Sequence, residues 1–308
     1  MKQGGFAPEG KWTGHAPGGV NAPAPILLPD PGRRFADTAL RLETLAPGHP
    51  MQEWLCFMAE LAHAQAVAVN MLPPLKALEQ VVVDHAVRAR TPPLDPDRYR
   101  RDAAWRDGLR ILLDHFESSQ SPIRMVVARL RKLEPAAIET MADEFLHGSI
   151  DTADAAPALY IAAALQVYFS HMAAKLEVNS LRLLPQRGLC PCCGSTPSVG
   201  LVTATGQIPG ARYLCCSLCA TAWNHVRAAC ITCGGSRSVS LEAIDGDAGI
   251  VKAETCNDCH TYAKMIYLAQ DTKADPVADD LASLGLDILV AESGWSRHAP
   301  NPLLLVAR

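Results

Sequence analysis

Between residues 35 and 186 the apolar positions recur at helical spacing. In Ile123–Arg131, Ile123, Val126, Val127 and Leu130 fall at i, i+3, i+4 and i+7 while Arg124 and Arg131 share another face, the pattern of a half-buried helix. Comparable patterning predicts helices over Phe35–Leu45, Met51–Leu72, Leu75–Arg90, Arg101–Phe116, Ile123–Leu133, Ala136–Leu146 and Pro157–Leu184. Breaks fall at Pro47-Gly48-His49-Pro50, Pro73-Pro74, Thr91–Pro96, Ser118–Pro122 and Pro135. After Leu184 the texture changes to short β-prone runs, Ser198–Ala204 and Ser238–Ile244, with turn signals such as Asp245-Gly246. Small ribbons of two or three strands fit that region, followed by a helix over Pro276–Glu292 and a tail around Asn301-Pro302.

The fold class is therefore α+β. A flexible arm is expected over 1–34, where seven Gly and six Pro leave little to bury, and a helical domain over 35–186. Two tandem metal-binding modules are expected at 187–226 and 227–268, and a C-terminal helix and tail at 269–308.

The modules are read from cysteine. Cys190, Cys193, Cys216 and Cys219 map onto Cys230, Cys233, Cys256 and Cys259 at a constant offset of 40 residues, so C-x2-C-x22-C-x2-C occurs twice. Two thiolates three apart fit one tight turn, and two such turns make a tetrahedral sulfur site that accepts zinc or a single iron. Two metal ions per chain follow. Each copy is too short for an adequate core of its own, so metal binding supplies much of its folding free energy. Cys192 and Cys215 have Thr232 and Thr255 as equivalents, which excludes them as ligands, and Cys56 reads as a small core residue. Gly194 and Gly234 follow the first knuckle of each copy, whereas the second carries Ala220 and His260, predicting less regular turns there. His260 reads as a surface or supporting residue beside an already filled four-sulfur site.

Composition narrows the setting. Lys+Arg 28 against Asp+Glu 32 gives no electrostatic case for a nucleic-acid or anionic-membrane partner, and residues 186–265 hold only six Lys/Arg against five Asp/Glu, which argues against a zinc-ribbon nucleic-acid binder. A thiol-disulfide redox protein needs one Cys-x-x-Cys and leaves four matched pairs unexplained. No membrane span and no export signal is legible. Arg33-Arg34 is followed by FADTALRLET rather than an apolar stretch and reads as a capping or surface pair, so a cytoplasmic location with reduced cysteines is expected. His63, His85, His115, His147 and His171 show no recurring partner pattern, Asp279-Asp280 reads as acidic residues at a helix N-terminus, and no phosphate loop, nucleophile elbow or H-E-x-x-H is present. No enzyme activity is expected, and the sequence does not decide self-association.

The cysteine region resembles the formate dehydrogenase accessory protein FdhE family. The resemblance lies in Cys190-Pro-Cys-Cys193-Gly-Ser, Tyr213-Leu-Cys-Cys216-Ser-Leu-Cys219 with Trp223, Cys230-Ile-Thr-Cys233, Lys252-Ala-Glu-Thr-Cys256-Asn-Asp-Cys259 with Thr261-Tyr262, Val277-Ala-Asp-Asp-Leu-Ala-Ser-Leu284 and Asn301-Pro302. It implies a cytoplasmic maturation role by contact with a formate dehydrogenase catalytic subunit, and rubredoxin-like iron at the paired cysteines. Four thiolates alone accept iron or zinc; the resemblance favours iron.

Overall fold

The computed structural model describes residues 22–205, 208–227, 229–299 and 301–304; residues 1–21 of the predicted arm lie outside them. The longest apolar run becomes helix α7, Ala155–Ala174, and 16 of its 20 residues are buried. Alanine, leucine and aromatic residues on every face leave it no polar side to offer to water, so it sits at the centre. Around it pack α1 (Pro31–Leu45), α2 (Gln52–Met71), α4 (Trp105–His115), α5 (Ile123–Arg131) and α6 (Pro135–His147), with α3 (Gln80–Arg88) further out.

Boundaries differ from the sequence reading where capping or proline chemistry intervenes. Helix α1 starts at Pro31 because the Asp30 carboxylate accepts from Gly32 N at 3.1 Å and proline suits the first helical position. Helix α3 begins only at Gln80, well beyond Pro73-Pro74, and α7 ends at Ala174 rather than Leu184, with a 3-10 turn at Val178–Ser180 following. The predicted last helix divides at Ser283 into α8 (Ala278–Ala282) and α9 (Leu284–Glu292).

The two cysteine modules share one sheet. The first contributes β2 (Pro197–Val202), β3 (Arg212–Cys216) and β4 (Ala222–Asn224); the second, β5 (Val239–Glu242), β6 (Val251–Cys256) and β7 (Thr261–Tyr267). Each is an antiparallel meander, and the copies join head to tail where β2 pairs in parallel with β7, Val199 facing Lys264 and Val202 facing Tyr267. Gly200 permits that approach, since a Cβ there would lie 2.5 Å from Met265 Sδ. A head-to-tail join leaves two edges open. β1 (Ile26–Leu27) covers one by pairing with β4, while β5 leaves the other short and mostly exposed. Residues 22–34 are therefore not a loose arm: Ile26 is buried, Asn224 N donates to Pro25 O and Tyr213 Oη to Ala24 O.

Strand alternation sorts the sheet's two faces. Leu214, Trp223 and Met265 join the core of the helical domain, while Tyr213, Cys215 and Ile266 turn the other way with Leu286 and Val290 of α9. β8 (Ser296–Arg297) adds to β7 at Thr261 and Tyr262, bringing the tail back over the second module.

Candidate metal centres

All eight predicted ligands come together in two groups. Cys190, Cys193, Cys216 and Cys219 form one and Cys230, Cys233, Cys256 and Cys259 the other, with every sulfur of a group within 4.8 Å of the rest. The Cys-x-x-Cys turns explain this convergence. Cys190 N donates to Ser195 O and Gly194 N to Cys190 O in the first copy, and Cys230 N to Gly235 O and Gly234 N to Cys230 O in the second. Gly194 and Gly234 take φ of 79° and 75°; Ala220 and His260 take 58° and 53°, so the second knuckles adopt the same left-handed turn without glycine. The expectation of less regular turns at Ala220 and His260 is corrected: the geometry is retained, at the cost of placing a Cβ in the left-handed region.

The donor set fits a tetrahedral ion. In the first cage the sulfurs of Cys190 and Cys219, Cys193 and Cys216, and Cys193 and Cys219 are 3.5, 3.4 and 3.5 Å apart. In the second, Cys230 and Cys259 are 3.6 Å apart and Cys233 and Cys256 3.7 Å. A tetrahedron with metal–sulfur bonds of about 2.3 Å has edges of roughly 3.8 Å, whereas a disulfide would bring two sulfurs to about 2.05 Å. All eleven cysteines are free thiols.

Surrounding groups complete the sites. In the first cage Cys192 N donates to Cys190 Sγ, and Leu218 N and Cys219 N to Cys216 Sγ, all at 3.4 Å. Cys219 Sγ lies 3.2 Å from Thr221 Oγ1, and in the second cage Cys259 Sγ lies 3.1 Å from Thr261 Oγ1. Thr221 and Thr261 are themselves 40 residues apart, two beyond the last cysteine of each copy. The repeat thus carried a legible signal for two supporting hydroxyls that attention to cysteine alone passes over. Behind Thr261, Thr232 Oγ1 is 2.8 Å from Thr261 Oγ1 and 2.7 Å from His298 Nδ1.

The cages differ in setting. The first is wholly buried: Gln166 of α7 donates to Ser217 O within its second knuckle, and Arg34 of α1 donates to Leu218 O. Arg34 is buried, which corrects its reading as a capping or surface residue; its guanidinium lies over the Phe35 ring and beside the thiols of Cys219 and Cys216. The second cage is half open, with Cys233 exposed and Cys259 partly so, and His260 is exposed beside it.

Electrostatics follow burial. Burial pushes the Cys190 and Cys216 thiols well up. It opposes ionisation of Cys219 too, but hydrogen bonds from Cys190, Cys193, Cys216 and Thr221 overcome it and hold that thiol well below the usual range. In the open cage burial again opposes, and the N–H groups of Cys233 and Thr232 with neighbouring thiols bring Cys230 down to about 7. The Gly235 N–H favours the Cys233 thiolate, yet the surrounding sulfurs outweigh it and push Cys233 up to about 12. Each cage thus sets one readily ionised sulfur, Cys219 or Cys230, beside others that resist ionisation, Cys190 and Cys216 or Cys233 and Cys256, as adjacent thiolates must unless a cation sits among them.

The other candidates do not assemble. Cys192 is buried against Cys190, and Cys215 is buried on the opposite sheet face, its thiol raised by burial. Cys56 is exposed, not a core residue; Leu55 and Met58 of α2 point inward instead. His63 pairs with Glu43 and His147 with Asp97, while His85 and His115 are exposed and His171 half-buried. Asp279 and Asp280 do stand in the first turn of α8, and both are also buried ion-pair partners, Asp279 of Arg41 and Asp280 of Lys264 and Arg297.

A helical domain joined through one sheet to two four-thiolate ribbons defines the class: a two-site, zinc-ribbon-like metal-binding protein. Three family models match in succession, FdhE N-terminal over residues 23–185, FdhE central domain over 189–227 and FdhE C-terminal domain over 228–304. The chain belongs to the FdhE family. It is 37% identical to the FdhE homolog of Edwardsiella ictaluri over 93% of both chains, and 36% identical to that of Pseudomonas aeruginosa over 94% of this chain and 96% of the relative. It is similar to the crystal structure of the FdhE protein from Pseudomonas aeruginosa, with a TM-score of 0.83 and 35% identity, over 91% of this chain and 98% of that one.

Proposed function

We propose that this chain is an accessory protein in the cytoplasmic maturation of formate dehydrogenase, binding the catalytic subunit and turning over no small substrate of its own. The observation that carries the reading is the pair of preformed four-sulfur cages in an FdhE-family chain, one sealed against the helical domain and one open at the surface. Cys190, Cys193, Cys216 and Cys219 would hold one ion and Cys230, Cys233, Cys256 and Cys259 the other, iron rather than zinc. Iron in such a shell supplies single-electron transfer; zinc supplies fold stability alone. The residues around the cages serve either ion: backbone N–H groups and the Thr221 and Thr261 hydroxyls direct hydrogen bonds at the sulfurs, and Arg34 places a cation beside the sealed cage.

No helix of the described residues is long and apolar enough to cross a membrane, in keeping with a partner met in solution. The test is genetic and biochemical. Deleting the gene should abolish formate oxidation while the catalytic subunit is still synthesised, and a ligand-cysteine variant should fail to restore it. Normal formate dehydrogenase activity in the deletion strain, or full rescue by a chain truncated before Cys190, overturns the reading.

A further inference from the structure

A groove of about 450 Å³ lies where the end of α3 meets the linker into the first cysteine knuckle. Its lining is mixed, the apolar part being Val87, Leu183, Leu184 and two prolines, Pro185 and Pro191, the latter standing between Cys190 and Cys192. Its charge is of one sign: Arg90, Arg182 and Arg187 line it and no carboxylate does. Among the described residues none of the three makes an ion pair, although ten other arginines of the chain do; Arg182 instead donates to the carbonyls of Asn179 and Leu181 at 2.8 and 2.7 Å. On a chain with a formal net charge of −4, three guanidiniums without a carboxylate partner around one groove are a local inversion.

Arg90 adds an independent observation. Helix α3 ends in a Schellman turn, Thr91 N donating to Ala86 O and Arg90 N to Val87 O, and Arg90 occupies the left-handed position at φ 57°. Glycine takes that position without a steric penalty, yet an arginine is held there at the mouth of the groove. The turn itself does not call for arginine, whose side chain is exposed there and lines the groove.

We propose that this groove binds an extended acidic peptide segment of a partner protein, its carboxylates on the three arginines and its apolar side chains on the leucine and proline walls. Guanidiniums match carboxylates in geometry, and rigid proline walls lower the entropy cost of seating a chain. Nucleic acid fits worse: the groove is short and carries no aromatic platform for base stacking. A segment seated there touches the first knuckle through Pro191, which deepens the accessory reading above by naming the chemistry with which the client is held, and in that respect rests on it.

The experiment is fluorescence anisotropy of a labelled octapeptide alternating Glu and Leu, titrated with full-length, metal-loaded protein. Saturable binding that weakens with salt is expected, and Arg90→Gly should reduce affinity about tenfold while leaving the thermal midpoint unchanged or raised, because the substitution removes a charge-assisted contact and relieves the left-handed backbone. Arg182→Gln and Arg187→Gln should each weaken binding comparably. Equal binding of the peptide by wild type and Arg90→Gly, equal binding of a Lys-Leu control peptide, or tighter binding of a single-stranded oligonucleotide overturns the proposal. The client separates the two readings. If wild type captures the purified catalytic subunit and the triple arginine variant does so equally well, the groove is not the contact although the accessory role stands; if wild type captures none while the acidic peptide binds, the groove stands and the accessory role fails.

Discussion

At the scale of single residues, the repeat separates eight cysteines from Cys192 and Cys215, and the structure gathers those eight into two cages. Cys192 hydrogen-bonds to Cys190 from outside the cage, and Cys215 faces the opposite side of the sheet. Serine at Cys190, Cys193, Cys216 or Cys219 should therefore remove one ion and leave the second copy loaded, whereas serine at Cys192 or Cys215 should leave both, as counted by elemental analysis of each variant. Loss of an ion from Cys192→Ser would show that the thiol belongs to the cage. Arg34 supports a second prediction. Replacing it with methionine removes a buried cation and its bond to Leu218 O, a loss on the order of 1.5–3 kcal/mol, so a chelator should strip the sealed cage at least tenfold faster and leave the open cage unchanged. Equal release from both cages contradicts it. The eight clustered cysteines were legible because spacing repeats; Arg34 was not, because it reaches Leu218 across 184 residues and no local pattern marks it.

Among the elements, the tail and the second module are joined by buried charge. Lys264 of β7 and Asp280 of α8 are fully buried 3.0 Å apart; Arg297 of β8 and Asn301 also reach Asp280, and Tyr262 Oη donates to Asp287. Burial alone would push the Asp280 carboxyl up, but the Lys264 ammonium and Arg297 guanidinium overcome it and hold the group below its ordinary value. A depressed carboxylate contributes stability that is present above its unfolded pKa of about 3.9 and is lost as pH falls through the lower folded value. Asp280→Asn should cost about 3–5 kcal/mol at neutral pH, because Lys264 and Arg297 are then left to share the single carboxylate of Asp287 and one buried cation goes uncompensated, and the gap to wild type in urea unfolding should narrow below about pH 4. A gap that is constant with pH contradicts the assignment. Sequence periodicity placed an acidic pair at a helix start and went no further, because the partners lie on α1, on two strands and in the tail, which only the folded molecule brings together. Likewise β2 and β5 were foreseeable from β-prone runs, while the parallel β2–β7 pairing was not: it brings Gly200 against Met265, a contact across 65 residues.

The molecule as a whole is a helical domain whose central helix and first helix close on the first cage while its N-terminal strand covers that module's sheet edge, leaving the second cage to the surface. That asymmetry has a consequence for exchange. Thiol reagents and chelators should reach Cys233 and Cys259 first, with modification mapped by mass spectrometry under reducing, anaerobic conditions; earlier labelling of Cys190 or Cys219 contradicts the burial order. The helical composition of residues 35–186 and the β texture beyond were readable from pattern, but the docking of residues 22–34 was not, because a Gly- and Pro-rich stretch advertises nothing of the two strand residues, Ile26 and Leu27, that cap the sheet edge. The central claim is that both cages hold metal. Elemental analysis with a visible spectrum, on full-length protein purified anaerobically with its thiols reduced, tests it most directly. Two ions per chain are expected, iron with thiolate-to-metal absorption; a single ion, or none, contradicts this.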